Sequence, residues 1–474
     1  MVQWLKNHRE SKFHRRYVEV FLVFMLLHPV MDALTSLGVR YLSVDLSLGM
    51  VLRSLFLGMS TFYVLYEASF RGQRKKIFVY AGVLALYTVV FFLGVFVKDL
   101  SLGQNLKEMI KILYFPVVSI AFYMVYEKDS THGALYLLPM VYTLYTGMIF
   151  IAFITDTGFA TYGYLNIGQL GWFYAGNEVS GILAFLMPLS LVRYIEILAQ
   201  KEPWLKKLYA TLGLFLLVFT TIQVGTKALV ASSVVFMLIY LLMEAAKALL
   251  RRDTKAVISV ILLMLLLGTT LYTLRYSPFQ SSMNEITENI GEIVDREDES
   301  EPEVVYDEET GEIIKEEGGH KPGDFMSSKP YQLINLLLSN RLYMTRELQN
   351  TYLYGDAYTK LMGVAYHREG TGLYKMLEMD YLSLLYRQGL LGFILILLPH
   401  TVILIMALRK LAKHRRGLSM ETVALLFTAM AILGYAFITG HVFVAPSVSF
   451  FAALLLVLFH KNLSEGKEKY LWKN

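Results

Sequence analysis

Long apolar runs separated by short polar clusters dominate this chain. A run of about 18 or more apolar residues can cross the hydrocarbon core of a bilayer as an α-helix, and a helix satisfies its own backbone hydrogen bonds inside lipid. The pattern therefore predicts an all-α integral membrane protein with about twelve transmembrane helices. The predicted spans are 17–37, 46–67, 77–97, 109–126, 134–155, 171–193, 208–225, 228–249, 256–275, 380–408, 420–440 and 447–461.

Composition agrees with this pattern and narrows the chemistry. Hydrophobic residues make up 55% of the 474 residues and charged residues only 18%. With no cysteine in the chain, disulfides, thiolate metal sites and a thiol nucleophile are excluded. The start, MVQWLKNHRESKFHRRYVEV, is basic, precedes an apolar helix and has no small-residue cleavage site. We interpret it as a retained first span.

Basic residues alternate between the connections and so predict an orientation. One set of connections contains the clusters Lys6, Arg9, Lys12, Arg15, Arg16; Arg71, Arg74, Lys75, Lys76; Lys201, Lys206, Lys207; Arg251, Arg252, Lys255; and Arg409, Lys410, Lys413, Arg415, Arg416. The opposite set contains few, mainly Arg40, Lys98 and Lys107. The positive-inside rule places both termini in the cytoplasm. The net charge of +5 is thus explained by topology, and no nucleic-acid partner is expected.

The same alternation puts one long hydrophilic loop outside, at residues 276–379. It divides the chain into nine helices with their connections in 1–275, the loop, and three helices with a cytoplasmic tail in 380–474. No Gly-rich nucleotide-binding motif occurs in a strand–turn–helix setting, so coupling to a bound nucleotide is not expected.

The loop has two parts of different character. The acidic insert 284–319 contains EVVY and EII around the turn-prone DEETG, which predicts a short hairpin at 303–314. Blocks of like charge usually stay solvated; a divalent-cation site or a lid that repels substrate are the alternatives. Residues 328–365 have apolar positions at helical spacing, which predicts one or two amphipathic helices at the membrane surface.

Ionisable side chains at the outer rim are candidate functional residues, because charge is costly near lipid. Lys227 lies where two spans meet, and its alternative is a snorkelling anchor. Arg341 and Arg346 are the next candidates, with a solvated or lipid-facing helix surface as the alternative. Glu378 and Asp380 precede a long apolar helix. They can cap that helix, act as a general base or hold a metal through a substrate phosphate.

Two histidines and one polar pair complete the candidate set. His367 and His441 are the remaining possible bases on the outer face, with a structural role as the alternative. Asn177 and Glu178 open the sixth span, where Gly176, Ser180 and Gly181 also allow close helix packing. Cations at this rim suit a diphosphate, because Arg and Lys form charge-assisted hydrogen bonds with phosphate oxygens.

At these residues the chain resembles the O-antigen ligase/polymerase family of bacterial envelope glycosyltransferases. GNEVSGILAFLMPL is similar to the family's Asn-containing motif, with Asn177 at the matching place. VGTKALVA is similar to its Thr-Ser-Arg-like motif, with Lys227 where Arg is usual. SNRLYMTREL and LYGDAYTKLMG resemble the Gly-Arg motif and Gly-rich step of the large loop, and place Arg341 on the family's Arg. EMDYLSLLYRQGLLG resembles the closing run, but offers Glu378 and Asp380 in place of His-Asn. That departure favours the polymerase and teichuronic-acid-polymerase branches over the ligases.

The resemblance implies a GT-C-like architecture and an inverting, metal-independent glycosyl transfer on the outer face of the cytoplasmic membrane, without a cofactor. The implied donor is a glycan on polyprenyl diphosphate, and the acceptor is the terminal sugar of another lipid-linked unit. Lys227 and Arg341, with Arg346, would bind the diphosphate, and Glu378 or Asp380 would orient or deprotonate the acceptor hydroxyl. Asn177, Glu178, His367 and His441 would line the substrate site.

Three other classes compete with a polymerase. A ligase would move finished polymer from the lipid carrier to another acceptor. A flippase for lipid-linked oligosaccharide also has about a dozen spans, but usually shows repeated halves, and no internal repeat is obvious here. A purely structural partner would use the acidic loop to bind a basic protein. Membrane lipids, and chain-length regulator or flippase proteins, are the expected partners.

Overall fold

In the computed structural model the protein is a bundle of long helices. The structure describes residues 2–42, 47–70, 74–129, 131–162, 167–281, 283–284, 287, 304–306, 313–316, 341–367, 377–413 and 418–465. In these ranges the helices are α1 (Val2–Leu42), α2 (Leu48–Phe70), α3 (Arg74–Val97), α4 (Leu102–Lys128), α5 (His132–Ile154), α6 (Gly176–Ala199), α7 (Trp204–Val224), α8 (Lys227–Arg251), α9 (Thr254–Thr273), α10 (Arg341–Leu353), α11 (Ala357–Met362), α12 (Asp380–Lys413), α13 (Met420–Ile438) and α14 (Pro446–Glu465).

Twelve of these helices are long and apolar enough to cross a membrane. They are α1 to α9 and α12 to α14, which confirms the predicted multi-pass membrane fold. Helices α2, α4, α6, α8, α12 and α14 begin at the same end of the bundle by alternation, and the connection 276–379 leaves from that end. We call it the loop end.

Burial separates central helices from peripheral ones. For each span we compare the buried share of its 18-residue apolar stretch. That share is 83% in α14 and 78% in α6, but only 17% in α3. Helix α14 packs against α4, α6, α12 and α13. The aromatic rings of Phe450 and Phe451 lie in this centre, fully buried. The core of the bundle is therefore built around the last span.

Local signals in the sequence explain several helix boundaries. Ser101 accepts a hydrogen bond from the Gln104 N–H and begins α4, and Ser419 does the same for the Thr422 N–H at α13. Gly225 ends α7 in the left-handed conformation, at φ 57°. Its missing side chain also makes room for Pro278, since an added Cβ would lie 2.9 Å from the proline ring.

Two predicted boundaries at the loop end differ from the structure. Helix α4 begins at Leu102 rather than at 109, because the polar residues of its first turns find partners inside the protein. Glu108, for example, forms an ion pair with Lys111 at 2.7 Å. Helix α6 begins at Gly176 rather than at 171, because Gly171, at φ 65°, pairs with Phe159 in a β-bridge.

Parts of the predicted loop structure also appear. Strands β1 (Val304–Tyr306) and β2 (Ile313–Glu316) form an antiparallel pair, which confirms the predicted hairpin. The remainder of the acidic insert, apart from 284 and 287, and residues 328–340 of the second segment lie outside the described residues. Helices α10 and α11 fall within the predicted amphipathic segment. Leu348 and Tyr352 of α10 are buried against Leu377 and Met379, so this face of α10 packs on protein.

Candidate functional site

Three residues singled out by the sequence meet at the loop end. Glu378 Oε2 accepts a hydrogen bond from Arg341 Nε at 3.0 Å and forms an ion pair with Arg341 Nη2 at 2.9 Å. The same oxygen accepts from Asn177 Nδ2 at 3.3 Å. The side chain of Arg341 is 12% exposed and that of Glu378 40% exposed. The large loop, the start of α6 and the approach to α12 thus converge on one partly accessible carboxylate, which we call the Glu378 cluster.

The backbone around Glu378 is fixed from two sides. Leu377 and Met379 are buried, so the chain direction turns the Glu378 side chain outward between them. Gly440, at φ 67°, lies so close to the Glu378 backbone that an added Cβ would be 2.7 Å from its carbonyl oxygen. The connection between α13 and α14 therefore supports the segment that carries the carboxylate.

Asp380, two residues further on, has a different environment. Its side chain is fully buried, and its carboxylate accepts from the backbone N–H groups of His441 at 2.8 Å, Val442 at 2.6 Å and Phe443 at 2.7 Å. Its hydrogen bonds therefore go to the α13–α14 connection and not to the first turn of its own helix. A buried and saturated carboxylate of this kind organises a loop, which favours a positioning role over contact with an acceptor hydroxyl.

Glu178 and His441 lie together on the wall of a cavity of about 550 Å³. Glu178 accepts a hydrogen bond from Ser447 Oγ at the start of α14. His441 adopts a left-handed backbone conformation, at φ 61°, which is unfavourable for a residue with a side chain. The hydrogen bond from its N–H to Asp380 helps to hold it there. This connection therefore joins the cavity to the Glu378 cluster.

The other predicted site residues lie on neighbouring elements. Lys227 is the first residue of α8 and is partly buried. Arg346 belongs to α10, but its side chain lies outside the described part of the structure. His367 is half-buried, and burial together with the nearby Arg387 guanidinium lowers its pKa from the usual 6.5. A neutral imidazole at this position can accept a proton.

A break in α12 that the sequence analysis did not anticipate fixes the segment 363–367. Gly389, at φ 68° and ψ 179°, interrupts the helix. The Val364 N–H donates to Tyr386 O at 2.8 Å, and the Ala365 N–H donates to Arg387 O at 3.1 Å. The segment 363–367 thus pairs with the broken helix in the manner of a strand, and satisfies carbonyl groups that the break leaves free.

Buried polar side chains strengthen this junction. Arg387 Nη1 donates to Ala365 O at 2.9 Å, and the guanidinium lies 4.7 Å from the centre of the Tyr366 ring. Asn105 of α4 bonds both backbone groups of Tyr366, donating to its oxygen at 2.8 Å and accepting from its N–H at 2.9 Å. The polar pair Arg387–Gln388 within an apolar run was the sequence signal for this feature.

No metal cluster is evident within the residues that the structure describes. There, no group of three or more His, Asp or Glu side chains is arranged to hold a metal ion. A mechanism without metal stays a prediction.

Comparison with protein-family models identifies the family of the chain. The family model described as O-antigen ligase like membrane protein matches residues 14–465, nearly the whole chain. A search of curated proteins finds no significant match.

Proposed function

The chain belongs to the O-antigen ligase-like family of membrane proteins, whose members transfer lipid-linked glycans, and on this premise we propose that it polymerises polyprenyl-diphosphate-linked oligosaccharide units. The reaction takes place on the outer face of a bacterial cytoplasmic membrane. The alternation of basic connections supports this orientation, because it assigns the loop end to the outside. The Glu378 cluster then faces the compartment in which lipid-linked glycans are joined.

The observation that carries the proposal is the contact between Arg341, Asn177 and Glu378. It combines a cation suited to phosphate with a carboxylate suited to accepting a proton, on a surface that substrate can reach. Arg341 begins α10 and Glu378 lies just before α12, so the second part of the loop brings the cation and the carboxylate together.

In the proposed reaction the acceptor hydroxyl oxygen attacks the anomeric carbon of the donor sugar. The bond between that carbon and the diphosphate oxygen breaks, and its electron pair leaves with the diphosphate. Glu378 takes the hydroxyl proton, a role worth about 10²–10⁴-fold in rate. Attack from the face opposite the leaving group inverts the anomeric configuration.

Arg341 stabilises the charge that develops on the diphosphate. Its ion pair with Glu378 is partly exposed, so the incoming diphosphate competes for the guanidinium and releases the carboxylate for proton transfer. Lys227 serves as a second cation at the loop end. Asp380 and Asn177 act as positioning residues, the first through the α13–α14 connection and the second through Glu378 itself.

The test is the size profile of polyprenyl-linked glycans in a strain that lacks the gene. We expect single repeat units to accumulate and long chains to disappear. Wild-type protein should restore the long chains, whereas Arg341→Ala and Glu378→Gln should not, although both insert into the membrane. Arg275→Ala is the matched control, because Arg275 is exposed at the same end and contacts the Tyr272 ring instead.

Two results would contradict the proposal. Long chains that accumulate on the carrier indicate a ligase. The second result uses purified protein in proteoliposomes. If lipid-linked units supplied from outside are not joined, the protein is a flippase or a structural partner.

A further inference from the structure

A cavity of about 550 Å³ lies beside the Glu378 cluster, between α2, α4 and the connection before α14. We call it the α2–α4 cavity. Arg53 of α2 and Lys107 and Lys111 of α4 line it, against the single carboxylate Glu178 among its lining residues. Its size falls in the usual range for small-molecule sites. Arg53 and Lys111 are each paired with one carboxylate, Asp32 and Glu108, so the positive charge that favours an anionic ligand comes from Lys107, which has no ion pair among the described residues.

Arg53 has N–H donors that are not used by described residues and could bind such a ligand. It is almost fully buried and forms an ion pair with Asp32 Oδ1. The second oxygen of Asp32 accepts from the Tyr145 hydroxyl, so Asp32 is engaged on both sides. Arg53 Nε is buried and makes no hydrogen bond to any described residue. An arginine carries five N–H donors, and a buried one without an acceptor is costly.

Donors on α4 are also available to a ligand in this cavity. The Tyr114 side chain is 1% exposed, it lines the cavity, and within the described ranges its hydroxyl has no hydrogen-bond partner. Lys107 also lines the cavity and has no ion-pair or hydrogen-bond partner in the described part of the chain. Lys111 pairs with Glu108 through one N–H donor at 2.7 Å, and an ammonium group has two more donors to offer a ligand.

Helix ends add to the positive potential of the cavity. Its wall includes Ser47 and Met50 at the start of α2, Gly103 at the start of α4, and Ser447 at the start of α14. The N-terminal end of a helix carries a partial positive charge and favours phosphate. Three such ends therefore reinforce the side-chain cations.

The rest of the wall suits a lipid chain. Leu106, Ile110, Met50 and Val444 are apolar lining residues. Leu106 is also 50% exposed, so the rim of the cavity reaches the exposed apolar surface of α4. An amphiphile with a phosphate head and an apolar tail matches both parts of the wall.

We propose that the α2–α4 cavity binds the diphosphate of a second prenyl-linked substrate, while the Glu378 cluster serves the first. This inference rests on the proposed polymerase function, because a polymerase holds two carrier-linked substrates at once. The two sites lie on different elements and are connected through the neighbours Asn177 and Glu178 and through the α13–α14 connection. A phospholipid headgroup offers similar phosphate chemistry, and the experiment separates the two sources.

The experiment measures how many equivalents of farnesyl diphosphate bind to the purified chain in phosphatidylcholine nanodiscs, by isothermal titration. Wild-type protein should bind two equivalents. The double variant Lys107→Ala with Tyr114→Phe should bind one tightly and the other at least tenfold more weakly. Arg341→Ala should weaken binding at the Glu378 cluster and leave the α2–α4 cavity unchanged. All three changes together should weaken binding at both sites. Lys206→Ala, at an exposed lysine of α7, is the control and should bind like wild type.

Several outcomes would overturn the inference. One equivalent bound by wild type, or two equivalents bound unchanged by the Lys107/Tyr114 double variant, removes the second site. Loss of the second equivalent in phosphatidylglycerol nanodiscs assigns the cavity to a phospholipid headgroup. Because this titration needs no catalysis, a single site in a chain that still polymerises glycans refutes this inference alone. A ligase-type glycan profile refutes the proposed function separately.

Discussion

Arg341 and Glu378 stand 37 positions apart and are joined at one carboxylate oxygen by a hydrogen bond from Nε and an ion pair with Nη2. Arg341 begins helix α10, and Glu378 precedes helix α12 by two residues. The pair therefore joins the start of α10 to the segment before α12 at the loop end. It also sets a cation and a proton acceptor in direct contact, so changes to the two residues should be coupled.

The double variant R341E/E378R should separate the structural role of this pair from its chemical role. Exchanging the charges keeps an ion pair, so we expect a thermal unfolding temperature near that of wild type. Turnover should fall by at least about 100-fold, because the cation and the carboxylate no longer occupy the positions that the leaving group and the hydroxyl require. Turnover of lipid-linked units in proteoliposomes gives the measurement. An active exchanged variant would show that the pair is structural.

Asp380→Asn should destabilise the protein. The amide keeps the shape of the carboxylate, but its NH₂ group faces backbone N–H groups that need an acceptor. We expect a loss of about 1.5–3 kcal/mol for a hydrogen bond to a charged group, seen as a lower unfolding temperature in detergent. Below that temperature turnover should remain within about tenfold of wild type. Normal stability with turnover reduced more than about 100-fold would instead support a base role for Asp380.

Gly363→Ala should disrupt the junction between the loop and α12. Gly363 has φ 91° and ψ 174°, a conformation that is essentially restricted to glycine and costs other residues about 1–3 kcal/mol. Its added Cβ would also lie 2.2 Å from Arg387 O. We expect lower stability and faster proteolysis of the loop. Gly434→Ala is the control, because an added Cβ there meets nothing within 4 Å and alanine favours the helix.

Stability should depend on pH through His367. Its pKa in the folded protein lies below the ordinary 6.5, so the unfolded chain binds the proton more readily. Above pH 6.5 the imidazole is neutral in both states and does not affect the free energy of unfolding. As the pH falls from 6.5 through the folded pKa, the unfolded chain binds more protons and the free energy of unfolding decreases. His367→Gln should therefore remove part of the drop in unfolding temperature between pH 7.5 and pH 5.5. Equal drops in both proteins would show that another group titrates.

The fold was predictable because span length and charge alternation are local properties of the sequence. Each of the twelve apolar runs corresponds to a helix long enough to span a membrane. The starts of α4 and α6 were less accurate. Glu108 and Lys111 look like the end of a span until their mutual ion pair is known. The β-bridge between Phe159 and Gly171 joins residues with no common motif.

Some residues of the candidate site were also predictable from local features of the sequence. Arg341, Asn177 and Glu378 were found because charged or polar residues near lipid are rare, although their contact depends on tertiary packing. The buried position of Asp380 could not be deduced, since its partners are backbone groups 61 to 63 residues away. Arg53 and Tyr114 were missed because single polar residues within apolar helices resemble ordinary core positions.

The central position of α14 has a consequence for biosynthesis. Membrane helices enter the bilayer in chain order, and this helix is the last of the twelve candidate spans. Until it arrives, α4 and α6 lack the neighbour that covers their most buried faces, and Glu178 lacks the Ser447 hydroxyl. The earlier spans are therefore expected to pack loosely until α14 inserts. Its insertion completes both the core and the wall of the α2–α4 cavity.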